Sequence, residues 1–253
     1  MNTFDLAKYS TPPAENPTEQ EMQDAVTSLV KYMKTFDTRP AKQAALDNWP
    51  VLYYMFGNID NEACTFRGER VLYKNRQYGV KLLNQAARGA IQYSDITSWT
   101  ISPAIASRFA YYFVGTQNSL FAERKYTDRY TLSILLAGVM HEGDGLDLTD
   151  NSKLNTSFGK NEFEVIMPPG KLRSIIMSAA FIDKHNKIYV YEGKIKYVKE
   201  FNTLCMSLEK CCDKMNKMCH LEEHDEDYYE VIHVNDIDEF IELYEDNIVY
   251  AQY

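Results

Sequence analysis

No apolar run in this chain approaches the roughly 20 residues that a bilayer-spanning helix needs; the longest, Thr131 to Met140, stops far short. No apolar h-region follows Met1, where Asp5 and Lys8 stand instead, so the N-terminus reads as having no secretory signal. Evenly paired cysteines are lacking too. The count is five, an odd number, and four of them fall between Cys205 and Cys219, which argues against a disulfide framework and for a reducing, cytoplasmic setting. Basic excess is missing: 27 Lys and Arg against 36 Asp and Glu leave a net charge of −9 and a pI near 5.1. A phosphate-backbone binder needs a basic face, so nucleic acid is disfavoured as a partner. The acidity mildly favours cationic partners, although an acidic protein with no such preference is the plainer reading. Internal repeats and low-complexity tracts are also absent. What is present is 45% hydrophobic and 25% charged residues over 253 positions. That composition suits a folded core, in one large domain or a main domain of roughly 150–200 residues with an appendage.

Residues 1–17, with paired prolines and few apolar side chains, read as a flexible N-terminal arm. Thr18 and Glu21 form a capping box, and Met22, Val26, Leu29 and Met33 recur at helical spacing, which predicts a helix over 18–35. Shorter helices are expected from Pro40 and from near Pro50, completing a helical layer over 18–56. Strands are expected over 63–67, 92–101, 130–140, 163–167, 173–182 and 187–198, with helices over 75–89 and from Pro103. Residues 141–160 read as one long loop, longer than compact domains carry without a functional reason. After residue 201 the composition shifts, with an amphipathic stretch over 203–219, an acidic run over 220–230 and a helical stripe at Ile237, Phe240, Ile241 and Tyr244. A C-terminal acidic helical appendage over 202–253 is therefore expected.

Three segments stand out chemically. The first is Phe66-Arg67-Gly68-Glu69, the second Thr97-Ser98-Trp99-Thr100 leading to Ser102-Pro103, and the third Asn161-Glu162-Phe163-Glu164 running to Pro168-Pro169-Gly170. Strand residues two apart share a face, so Glu162 and Glu164 are expected to project together. Each raises the cost of ionising the other, which suits a pair in which one acid stays charged and the other handles a proton. A carboxylate is also what an oxocarbenium ion needs beside it when a bond at an anomeric carbon breaks. Arg67 offers a planar fork for phosphate oxygens. Gly68 allows the backbone close to a flat ligand. Ser98 supplies a hydroxyl able to hold a carboxylate in one rotamer.

Taken in order, Arg, Ser-x-Thr and Glu-x-Glu over residues 45–200 resemble the Arg-Ser-Glu class of mono-ADP-ribosyltransferases, and among them the phage-encoded arginine-specific enzymes. The resemblance implies an α+β fold with an ADP-ribosyltransferase-like split β-sandwich core, spanning 18–201. It implies NAD as substrate and transfer of ADP-ribose to a protein arginine with release of nicotinamide. The implied partner is a protein with an exposed arginine, in host transcription or translation machinery if the chain is phage-encoded and acts in host cytoplasm. Arg67 would grip the NAD phosphates, and the Gly68 backbone would pair with the nicotinamide carboxamide. Ser98 would orient Glu164, Thr100 would be a secondary contact, and Glu164 would hold the nicotinamide ribose and stabilise the transition state. Glu162 would meet the incoming guanidinium and take its proton, and a glutamate at that position implies arginine as the acceptor. Residues 149–161 would form the substrate-recognition turn, with Phe158 as a contact. The family's Ser-Thr-Ser is replaced by Ser98-Trp99-Thr100, so Trp99 is expected to point away from the cleft. Phe121 and Arg124 could supply the family's later aromatic and arginine.

Other readings stand beside this one. The same residues fit a catalytically inactive NAD- or protein-binding module, or an NAD glycohydrolase. Glu69 reads as a surface charge. Cys205, Cys211, Cys212 and Cys219, with His220 and His224, do not match paired zinc knuckles and read as buried helix cysteines, so no metal is expected. His141 reads equally as a base or as a satisfied loop histidine. The acidic run reads as a solvated segment, with nucleic-acid mimicry unsupported.

Overall fold

A computed structural model of the chain describes residues 9, 11–35, 38–57, 63–72, 75–111, 130–140, 144–149, 164–183, 187–193 and 230–250. The protein is mixed α+β, with a mostly antiparallel open sheet. Its chain folds into two compact units, one gathering Met1–Thr65, Gln92–Ile101 and Val139–Leu172, the other Phe66–Ile91, Ser102–Gly138 and Arg173–Tyr253.

In the first unit, α1 (Glu19–Thr35), α2 (Arg39–Asp47) and α3 (Trp49–Phe56) form the expected helical layer. Helix α1 opens on the capping box: Thr18 donates its backbone N–H to Glu21 at 2.7 Å, and the Glu21 N–H reaches the Thr18 hydroxyl at 3.3 Å. The Thr18 N–H, followed by its hydroxyl, holds the Glu21 carboxyl below the ordinary glutamate range. A group whose folded pKa is depressed stabilises above its unfolded pKa and loses that contribution as pH falls through the folded one. Helix α1 is therefore expected to fray at its N-terminus in acid and not in base. Amide exchange of residues 19–22 between neutral pH and pH well below the ordinary glutamate value checks this, and equal protection at both ends would refute it.

The buried stripe of α1 is Ala25, Ser28, Leu29, Tyr32 and Met33. It packs with Trp49 and Leu52 of α3 against Ile96, Leu146, Leu148 and Ile166. Tyr9, inside the expected flexible arm, is tied down: the Trp49 indole N–H donates to its carbonyl at 2.9 Å, and the two rings meet edge to face. The strand expected over 92–101 is two, β2 (Ala90–Tyr93) and β3 (Thr97–Thr100). The break is at Ser94-Asp95, where the Asp95 carboxylate accepts from the Ile96 N–H at 2.9 Å and pairs with Lys42 at 3.2 Å. Such aspartate-to-backbone bonds compete with a sheet ladder. Beside β3 run β6 (Glu164–Met167) and then β5 (Leu146–Asp147), both pairings antiparallel. Strand β5 lies within the stretch read from sequence as loop.

The second unit holds most of β1 (Ala63–Leu72), with α4 (Arg76–Ala87) and α5 (Pro103–Tyr111), and most of β4 (Tyr130–Met140) and β7 (Gly170–Ile182). It also holds β8 (Lys187–Glu192), β9 (Glu230–Val234) and α6 (Ile237–Tyr250). Strand β8 pairs antiparallel with β7 and parallel with β9. The expected C-terminal appendage is thus different where it is described. Residues 230–250 extend the sheet and complete the core: Phe240 and Tyr244 of α6 are fully buried, and Phe181 of β7 meets both rings. Apolar area of that size stays with a core rather than standing apart in water. Among the described residues, no helix is long and apolar enough to cross a membrane.

Candidate functional site

The antiparallel register of β3 and β6 sets Thr100 opposite Glu164 and Ser98 opposite Ile166. Directly opposed residues, and residues two apart on one strand, share a face. Ser98, Thr100 and Glu164 therefore lie on one face, together with Ile96 and Ile166, which belong to the core under α1–α3. The structure thus brings together three of the sequence-predicted residues. Thr100 is buried, whereas Ser98 and Glu164 are half-buried. Strand β6 is pinned at this point by the Leu148 N–H, which donates to the Glu164 carbonyl at 3.0 Å. Trp99 faces the opposite way, buried against Tyr93 edge to face, with its indole N–H donating to the Thr97 hydroxyl at 3.2 Å.

One participant was missed from sequence. Tyr32 of α1 places its hydroxyl 3.3 Å from Ser98 Oγ and 3.5 Å from the Ile96 carbonyl. A phenol has one proton. The Ile96 carbonyl can only accept that proton, whereas the Tyr32–Ser98 bond can run in either direction. The only signal in the sequence was a tyrosine four residues after Ser28 on the buried stripe of α1, and a phenol so placed resembles any core aromatic. Replacing Tyr32 by Phe is expected to cost about 1 kcal/mol of stability, the size of one net hydrogen bond. Thermal melting checks that figure, and a loss above about 3 kcal/mol, the upper end for one bond, would show that the ring and not the hydroxyl is what matters.

In the second unit, Arg67 and Glu69 point to one face of β1 and are joined by a 2.5 Å ion pair through the arginine Nε. The expectation that Glu69 is a surface charge is corrected: its side chain is only 8% exposed. Its other oxygen accepts from the Tyr78 hydroxyl of α4 at 3.2 Å. A carboxylate is buried here because both of its oxygens are engaged. Gly68 points to the opposite face, where a Cβ would lie 1.9 Å from the Ala106 carbonyl oxygen and 2.5 Å from the Ala110 nitrogen of α5. The close approach that this glycine permits is thus that of a helix backbone. The buried small residues Ala106 and Ala110 make it possible from the helix side.

Glu162, residues 150–161 with Phe158, Phe121, Arg124, His141, and the cysteines and histidines of 205–224 lie outside the described residues. Cys64 is buried and takes part in no disulfide. Among the described residues, no group of three or more His, Cys, Asp or Glu could hold a metal ion. No protein-family model, curated protein or solved structure matches this chain.

Proposed function

We propose that the chain is an NAD-dependent mono-ADP-ribosyltransferase acting on arginine side chains, with an ADP-ribosyltransferase-like split β-sandwich as its core. The observation that carries the reading is the β3–β6 register, which puts one carboxylate and two hydroxyls on a single face. In this reading the bond between the nicotinamide nitrogen and C1′ of its ribose breaks, and its electron pair leaves with nicotinamide. The Glu164 carboxylate stabilises the oxocarbenium-like centre, and Ser98 holds that carboxylate in one rotamer. An arginine nitrogen then forms the new bond to C1′, and Glu162 takes the proton it releases. Charge stabilisation and positioning supply the rate, with no covalent enzyme intermediate. Arg67 serves the NAD phosphates. The narrower placement, a phage-encoded enzyme working in host cytoplasm on transcription or translation components, belongs to the same proposal.

Incubating the full chain with labelled NAD and a cell lysate, followed by mass spectrometry, tests it. ADP-ribose on arginine supports the reading. Nicotinamide release with no labelled protein would make the chain a glycohydrolase instead. A second reading, an inactive module that binds NAD or a protein, draws on one observation: Nε of Arg67 is already engaged by Glu69. Absence of both products would favour that reading.

A further inference from the structure

Arg67, Gly68 and Glu69 are consecutive, yet the structure gives each a separate and interlocking task. Gly68 lets the α5 backbone lie directly on β1, so the strand cannot shift toward the helix there without an atomic overlap. Arg67 and Glu69 project to the other face, and the Glu69 carboxylate is gripped at both oxygens, by Arg67 Nε and by the Tyr78 hydroxyl. An exposed Arg–Glu pair would contribute little and would lose side-chain entropy. Burying the glutamate adds a desolvation cost, so stability alone is a weak reason for the arrangement. What it does achieve is orientation. A guanidinium is a planar fork, useful to an anion only when its plane is set, and a carboxylate locked at both oxygens sets that plane through Nε. Tyr78 contributes through its hydroxyl while the residue as a whole stays 42% exposed, so its bond to Glu69 is not a by-product of core packing.

We propose that Glu69 and Tyr78 are positioning residues that fix the Arg67 guanidinium for a diphosphate-class anion, namely the diphosphate of NAD. This rests on the function proposed above. The opposite role is physically distinct: if Glu69 merely neutralised Arg67, removing its charge would strengthen anion binding.

The test is NAD turnover and NAD titration with the full chain and the variants Glu69→Gln, Tyr78→Phe, Arg67→Ala and Arg67→Ala/Glu69→Gln. Glu69→Gln is expected to raise the NAD Kd and KM about tenfold with kcat retained, because the charge that strengthens the bond from Arg67 Nε is lost. Tyr78→Phe, which keeps every charge and the ring, is expected to shift both in the same direction by about threefold. In the Arg67→Ala background the Glu69 substitution is expected to add nothing, since residues acting through a shared partner are not additive. A merely structural role would lower the melting temperature and the active fraction, and would leave KM alone. Unchanged or tighter NAD binding in both Glu69→Gln and Tyr78→Phe, or full additivity with Arg67→Ala, would overturn the proposal while the transferase reading stood. A wild-type chain that neither binds NAD nor releases nicotinamide would overturn that reading first, and this inference with it.

Discussion

Glu164→Gln is expected to abolish both ADP-ribose transfer and NAD hydrolysis, lowering kcat by at least about a hundredfold, as removal of one preorganised charge-stabilising group does. The substitution preserves shape and removes only charge. The Glu164 carbonyl, which accepts from the Leu148 N–H, and the β3–β6 register are backbone features that an isosteric side chain leaves alone. Its side chain is half-buried, so little apolar packing depends on it. Loss of activity with unchanged melting temperature is therefore the diagnostic pair. Glu162→Gln should behave differently: if that residue takes the proton from the incoming guanidinium, transfer falls and hydrolysis, whose acceptor is water, is spared. Parallel titration of both products separates the two roles. Equal losses in the Glu162 variant would remove the assignment of the pair, and an unimpaired Glu164 variant would remove the mechanism. Ser98→Ala is expected to fall between them, because without its orienting hydroxyl the Glu164 carboxylate is still present.

Local signals in the sequence carried a good deal of this. The Thr18–Glu21 box, Pro40 and Pro50 at helix starts, and Ser102-Pro103 all depend on residues within one helical turn, and the helices begin where those residues place them. The resemblance implied that Trp99 points away from the cleft, and in β3 it faces opposite to Ser98 and Thr100. What escaped depended on distant partners. Glu69 is written like any surface acid, and its burial becomes tolerable with Arg67 and Tyr78 closing on its two oxygens. Strand β9 follows an acidic run and is too short to announce itself. Its place comes from β8, which offers a parallel edge from Lys187 to Tyr191. Tyr32 looks like core until the position of Ser98 is known. Of the expected α1 stripe, Leu29 and Met33 are buried and Met22 and Val26 half-buried, while Ala25, Ser28 and Tyr32 complete the buried face.

Gly68→Ala is expected to be the most damaging single-methyl change in the second unit. Real Cβ atoms do not approach within 3.0 Å of other heavy atoms, yet here the added carbon would meet two backbone atoms at 1.9 and 2.5 Å. Neither can swing aside as a side-chain tip would, so α5 and β1 would have to part by more than an ångström, exposing Ala106 and Ala110 on the way. Overpacking a tight core costs about 1–3 kcal/mol and occasionally more, and a backbone-on-backbone overlap belongs at or above the top of that range. Urea denaturation should show a lower midpoint with the slope unchanged, the mark of lost stability rather than an altered unfolded state. Gly89→Ala is the internal control. That residue has φ of 83°, and a methyl placed on it would meet nothing within 4 Å, so only the left-handed backbone penalty of about 1–2 kcal/mol applies. The contrast also decides what Gly68 is for. A Gly68→Ala chain of normal stability that no longer binds NAD would return the glycine to a ligand-facing role. A destabilised chain whose folded fraction still binds NAD would establish that its missing side chain serves α5.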